Sequence, residues 1–344
     1  MLPQATAEQE HSSKMDFRTV IPPLDRQGLV KHGETMLLTG SCFTDNIGQR
    51  LCEDLFDAVV NPFGPLYNPL SILRALEALR DKVVVSPDDL FEREGRFHSF
   101  MFHSRYSDTD REKTAGSMTK VIAEGHEALR KAAVVILTLG TTRVFRHLAS
   151  DSVVANCHKL PGGEFENRFL TLEETVGALT DCVSLIRECN PEARVIFTVS
   201  PLRYLESGAH GNQLIKSTLL LAVNEVSVRF GEDTVSYFPS YEIMMDDLRD
   251  YRFYAEDMKH PTPQAVDYIY EIFGASYFTP ATARIAVEAR ALTRRLSHRI
   301  MASSPEAESR EKMARERAIQ SFTGHYPELT DAVRRYYDKN TLCQ

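Results

Sequence analysis

Short apolar runs recur along the chain, each closed by a glycine, a proline or a small polar residue, and helical periodicity follows most of them. The first, Met36-Leu37-Leu38-Thr39, ends at Gly40-Ser41-Cys42 and reads as a buried parallel strand. After it, Thr44-Asp45-Asn46-Ile47 opens a helix that turns Ile47, Leu51 and Leu55 inward. A second run, Ala58-Val59-Val60, stops at Asn61-Pro62-Phe63-Gly64, and the next helix enters through Asn68 as N-cap with Pro69 at its first position. The third run, residues 132–139, is the most hydrophobic stretch and breaks at Gly140-Thr141-Thr142, which predicts a central strand. Thr171 and Glu174 form a capping box ahead of Leu172, Val176, Leu179, Val183 and Ile186, a helix closed by Asn190-Pro191. Further along, the pattern predicts a strand at 194–200, a helix over 212–230, a fifth strand at 234–238 and a last core helix from Thr262-Pro263. Residues 95–118, with Phe97, His98, Phe100, Phe102, His103 and Tyr106, read as a small excursion, a β-hairpin beside the cleft.

Five such runs interleaved with helices predict an α/β fold. Its form is a three-layer α/β/α sandwich around a five-stranded, mostly parallel sheet of the flavodoxin-like kind. Ligands of such sheets bind beyond the carboxyl ends of the strands, where the strand order reverses. Gly40-Ser41-Cys42, Gly64, Gly140-Thr141-Thr142, Ser200-Pro201 and the segment after the fifth strand all fall at those ends. The expected division is a disordered tail over 1–16, one α/β domain over 17–279 and a helical C-terminal extension over 280–344. In the extension, Ile285, Leu292, Leu296 and Ile300 share a face, and the five arginines between 284 and 299 read as a solvated basic face.

Composition narrows the function. A chain of 344 residues with 43% hydrophobic and 26% charged positions buries a full core without staples. With 40 basic against 48 acidic residues and a formal charge of −8, neither nucleic acid nor an anionic membrane is an expected partner. Six scattered cysteines without a C-x-x-C pair read as reduced thiols; no metal site is spelled out, and no cofactor is expected. There is no apolar leader-like region and no run of 18 apolar residues, so no membrane span is expected and the cytoplasm is the expected location. Oligomeric state cannot be read from these features.

The candidate chemistry lies at the strand ends. A hydroxyl at Ser41, between a strand and a helix, faces free N–H groups and the positive end of the helix dipole, a seat for a nucleophile; a serine there is also an ordinary helix cap. In Asp257-Met258-Lys259-His260 an aspartate three residues before a histidine can bond one ring nitrogen and leave the other as a base, or the segment is an ordinary charged loop. Cys157, His158 and Lys159 offer a thiol, an imidazole and an ammonium in succession. A Cys–His pair is disfavoured there because neighbours on an extended segment point to opposite faces, whereas Lys159 at the cleft rim suits a carboxylate or phosphate. Asn212 and Lys216, spaced i, i+4 on a helix, either line the cleft or form a solvated face. His98 and His103 would face opposite ways on a strand. The aromatics Tyr237, Phe238, Tyr241, Tyr251, Phe253 and Tyr254 form either core or an apolar wall for an acyl chain or sugar.

Gly40-Ser41-Cys42-Phe43-Thr44 resembles the name-giving string of the GSCFA family, a branch of the SGNH/GDSL-like hydrolase superfamily, with Thr44 in place of alanine. The resemblance extends through Asn61-Pro62-Phe63-Gly64, Leu139-Gly140-Thr141, Asn156-Cys157-His158-Lys159, the segment from Tyr237 through Glu242, Asp257-x-x-His260-Pro261 and His298-Arg299. It implies a serine esterase or O-acyltransferase working on an acyl ester, carbohydrate- or lipid-linked, with Ser41 as nucleophile, His260 as base and Asp257 orienting it. It also implies an oxyanion hole from the Ser41 and Gly64 N–H groups and a third-block asparagine. Here the chain departs, with Gly140-Thr141-Thr142-Arg143 where the superfamily has Gly-x-Asn-Asp. Either the Thr142 hydroxyl serves instead, or the chain is a non-catalytic ligand-binding protein that keeps the cleft.

Overall fold

The five apolar runs form one parallel sheet in the computed structural model of the chain, which describes residues 17–297 and 304–341. Its strands are β1 (Thr35–Gly40), β2 (Asp57–Val60), β3 (Val134–Leu139), β4 (Arg194–Val199) and β5 (Val235–Phe238), in the order β5-β4-β3-β1-β2. Every adjacent pair is parallel. The order reverses between β1 and β3, so the switch point lies beyond Gly40 and Leu139. Side chains alternate across a strand, and β1 shows both faces in use. Leu37 packs with Leu76, Ile122, Leu179 and Leu219, while Leu38 packs with Phe43, Leu51, Ile269 and Phe273.

The first of those layers is α2 (Pro69–Arg80), α3 (Arg111–Lys131), α4 (Leu172–Cys189) and α5 (Gly208–Phe230); the second is α1 (Cys42–Glu53) and α6 (Pro263–Tyr277). The expected N-caps hold: Asn68 accepts from the Ser71 N–H, Thr171 and Glu174 close a capping box, and Thr262 caps α6. Helix α3 has no counterpart in the hydrophobic pattern. Its buried face mixes small and large side chains, running Ala115, Met118, Ile122, Gly125 and Leu129 among charged neighbours, and a Cβ on Gly125 would stand 2.6 Å from Leu79. The excursion holds a hairpin of Phe91–Arg93 with Arg96–His98, earlier than expected. A three-stranded antiparallel sheet of Arg143–His147, Ser152–Val154 and Phe165–Phe169 was also not foreseen, its strands being short, two of them half-buried and the last largely exposed.

The C-terminal helices α7 (Pro280–Ser297), α8 (Pro305–His325) and α9 (Thr330–Thr341) pack on the far side of α1. Leu55 lies past the end of α1 with φ 62 and joins Leu292, Leu296, Phe322 and Leu329, not the core under the helix. The solvated basic face also needs correction at Arg290. Its guanidinium donates to both oxygens of Asp54 at 2.7 and 2.6 Å, and Tyr270 donates to the same carboxylate at 2.8 Å. The Asp54 side chain is 0% exposed, and a carboxylate so desolvated requires a cation. The tail over 1–16 and the positions His298, Arg299 and Ile300 lie outside the described residues. No helix among the described residues is long and apolar enough to cross a membrane.

Candidate active site at the carboxyl end of the sheet

Gly40 ends β1 at φ 151, where a Cβ would stand 2.2 Å from the Thr138 carbonyl oxygen; only glycine lets the chain pass so close to β3. Ser41 follows as the residue before α1. Its N–H donates to the Thr138 carbonyl at 3.0 Å, and its carbonyl accepts from the Thr44 N–H at 2.8 Å. Asn61, wholly buried, accepts from the Gly40 N–H at 2.9 Å and donates to Asp45 at 2.8 Å, tying the serine turn to the end of β2. The Ser41 hydroxyl itself is buried and makes no hydrogen bond, so the capping role open to it in the sequence is not taken. An unpaired buried hydroxyl costs about 1–3 kcal/mol, and a group kept in that state calls for an explanation.

The other strand ends close around it. A Cβ on Gly140 would lie 3.4 Å from Ser41 Cβ, and the Gly140 and Thr141 N–H groups both donate to the Tyr67 carbonyl, at 2.9 and 2.8 Å. Thr142 is buried, and its carbonyl accepts from the Leu170 N–H. Arg143 donates to the Tyr204 hydroxyl at 3.0 Å and to Asn167 at 3.0 Å. Gly64, at φ 87, abuts His103, and its N–H donates to the Asn61 carbonyl at 2.8 Å. An oxyanion calling on the Ser41 and Gly64 N–H groups therefore competes with carbonyls already bonded to them.

After β5, Asp257 accepts from the backbone N–H of His260 at 3.0 Å and of Lys259 at 2.9 Å, and its second oxygen meets His260 Nδ1. The His260 backbone N–H, then the imidazole, then the Lys259 N–H hold this carboxyl well below the usual carboxylate range. The pair is about half exposed, and Ser41 Oγ is not hydrogen-bonded to His260. The loop after β4 joins the two halves: the Arg203 N–H donates to the Lys259 carbonyl at 3.2 Å, and the Tyr204 N–H to Asn212 Oδ1 at 2.8 Å.

Asn212 and Lys216 are 0% and 1% exposed, which overturns their reading as a solvated face; that side of α5 is turned onto the sheet ends. Lys216 Nζ donates to the carbonyls of Gly140 at 3.0 Å and Ser200 at 2.8 Å, and burial lowers its pKa to about 7. Asn212 Nδ2 is buried without a hydrogen bond, near the phenol of Tyr241. Burial, then Asp45, pushes the Cys42 thiol up, away from thiolate chemistry.

The segment holding Cys157, His158 and Lys159 is a turn and not extended, with φ 47 at His158 and 56 at Lys159. His158 is buried against His98, ring centroids 4.6 Å apart, with Nε2 2.8 Å from the Ser99 carbonyl and Nδ1 3.2 Å from Ser104 Oγ. Its polar atoms are thus spent within the excursion, while Lys159 is exposed and Cys157 half-buried. Of the aromatics in and after β5, Phe238 and Tyr241 are buried, and Tyr251 is exposed. A groove of about 540 Å³ runs from Asp45 along the β2 edge to Arg335. Asn61 and Arg203 escaped the sequence reading. The run Asn61-Pro62-Phe63-Gly64 was a signal for the first, and nothing local marked the second.

A family model described as the GSCFA family matches residues 35–273, from the start of β1 into α6. No curated protein matches the chain in sequence. Among solved structures, it is similar to an acetyl xylan esterase from the rumen bacterium Butyrivibrio proteoclasticus, with 12% identity over 74% of this chain and 64% of that one and a TM-score of 0.36. It is also similar to a family two carbohydrate esterase from Clostridium thermocellum, solved in complex with cellohexaose, with 17% identity over 75% and 65% and a TM-score of 0.31. The chain spans just under two thirds of the length of each.

Proposed function

Because the chain belongs to the GSCFA family, we propose that it is a serine-dependent ester hydrolase or O-acyltransferase in which Ser41 is the nucleophile, His260 the base and Asp257 its orienting partner. The observation that carries this reading is the Ser41 hydroxyl, buried and unpaired at a helix N-terminus beyond the switch point of the sheet. The Asp257–His260 pair supplies the complementary half, since the bond at Nδ1 leaves Nε2 to take a proton. Ser41 Oγ bonds to the acyl carbon and its proton passes to His260. The carbonyl carbon then expels the alcohol, which leaves with that proton, and the acyl group stays on Ser41. Water, or an acceptor alcohol, repeats the sequence: it gives its proton to His260, bonds to the acyl carbon, and Ser41 departs reprotonated. In the oxyanion hole the Thr142 hydroxyl takes the place of the missing asparagine.

The second reading, a binding protein without turnover, draws on the internal bonds of the Ser41 and Gly64 N–H groups and on Arg143 at the third block. Labelling with a fluorophosphonate separates the two. The expected result is one adduct, mapped to Ser41 and lost in Ser41→Ala, together with turnover of 4-nitrophenyl acetate; an unlabelled wild type favours the binding protein. Thr142→Val, which keeps shape and deletes the donor, is expected to lower kcat by about 10² to 10³. Equal kcat in the two proteins would remove Thr142 from the oxyanion hole.

A further inference from the structure

Arg203 forms no ion pair among the described residues. It lies in the loop after β4 that joins the His260 turn to α5: its own N–H holds the Lys259 carbonyl, and the next N–H holds Asn212. The residue is half-buried, and its Nε is buried without a partner. Among the described residues its guanidinium makes no hydrogen bond and no ion pair. Three acids at this end of the sheet are committed elsewhere, and Asp246 is exposed and makes no ion pair with Arg203. Glu206 faces Arg143 and Tyr204, Glu242 accepts from Tyr237 at 2.7 Å, and Asp257 holds His260. The charge is felt instead by the phenols of Tyr241 and Tyr254. Arg105 and Arg143, at the same end of the sheet, are each seated on protein acceptors. In a chain with 48 acidic against 40 basic residues, an arginine left unpaired beside the candidate base stands out.

Burying part of a guanidinium without an acceptor is unfavourable, and its planar fork of donors matches a carboxylate or a phosphate. We propose that Arg203 binds an anionic group of the substrate, so that the esters this site accepts carry a negative charge near the acyl linkage. This rests on the ester reading above and names its substrate class.

Paired esters test it. Mono-4-nitrophenyl succinate against 4-nitrophenyl acetate places the charge on the acyl side. On the alcohol side, 4-acetoxybenzoate and 4-acetoxyphenyl phosphate are compared with phenyl acetate. For at least one anionic ester, kcat/KM is expected to exceed that of its neutral partner by tenfold or more. The ratio should fall at least tenfold in Arg203→Gln and be partly restored in Arg203→Lys, with melting temperatures confirming that both variants fold. A ratio that stays within twofold of wild type in Arg203→Gln overturns the proposal, as does a wild type without charge preference. Failure of the ester reading is recognised separately, by absent labelling of Ser41. Calorimetry with succinate and with inorganic phosphate then decides: binding by wild type that weakens tenfold or more in Arg203→Gln upholds the anion site, and absent or unchanged binding overturns it.

Discussion

The turn that carries Ser41 is locked by buried bonds from two neighbouring strand ends, whereas the turn that carries His260 is built from its own side chain and backbone and stands half in solvent. Gly40, Ser41 and Asn61 can hardly move without disturbing β1 and β3, because the contacts that fix them are part of the sheet. Asp257 and His260 are fixed within their own turn, by bonds spanning no more than five residues, the longest from the Ala255 N–H to the His260 carbonyl at 2.8 Å; the turn is tied to its flanks by the Thr262 N–H on the Phe253 carbonyl and to the loop after β4 by Arg203 and Lys259. Under the proposed reading, the nucleophile is preorganised at the expense of stability, and the base is oriented locally at almost no cost to the core.

That contrast breaks first at Ser41. Ser41→Ala is expected to lower kcat by about 10⁴ to 10⁶, yet to leave the melting temperature unchanged or raise it, because it removes an unpaired buried hydroxyl. A clear loss of melting temperature would mean that the hydroxyl has a structural partner, and the premise of a nucleophile held in reserve would fall. His260→Ala should also cost about 10⁴ to 10⁶ in kcat, with a melting temperature near that of wild type, since its ring is half exposed. Retained turnover in steady-state assays would assign the base elsewhere.

The lock itself is probed at Asn61. Asn61→Ala strips the Gly40 N–H of its acceptor inside the protein and should lower stability by about 2–3 kcal/mol in denaturant titrations. The matching change at the other turn, Asp257→Asn, should cost much less stability, its group being exposed. Equal losses at the two positions would erase the comparison.

A smaller effect sharpens it through pH. Burial depresses Lys216 in the folded chain, so between about pH 7 and the ordinary lysine range the unfolded chain binds the extra proton, and folding stability rises with pH. Lys216→Met should lose this upward contribution, flattening the dependence of unfolding free energy on pH over that window. Parallel profiles for the two proteins would show that Lys216 keeps its proton in the fold.

The strands were legible because a strand covered on both faces must be apolar at successive positions, and the candidate serine and histidine because short spacings carry their chemistry. Helix α3 was not, since its large buried side chains, Met118, Ile122 and Leu129, are set among charged and polar residues, and the stripe between them is completed by Ala115 and by Gly125 packed close to α2. Lys216 and Arg290 misled for a related reason: each is a charged residue whose buried setting is created by groups 76 and 236 positions away.

Local order in the sequence determined the five strands of the parallel sheet and the capped starts of α2, α4 and α6, the glycine at the end of β1 and the Asp257–His260 pair, because each depends on neighbours within a few residues. Tertiary structure alone decided that Ser41 Oγ lies buried and unpaired, that Lys216 is buried beneath Gly140 and that Arg203 has no counter-ion among the described residues. Burial and pairing are properties of the space that distant segments enclose together, and they arise only once β1, β3 and β4 end side by side.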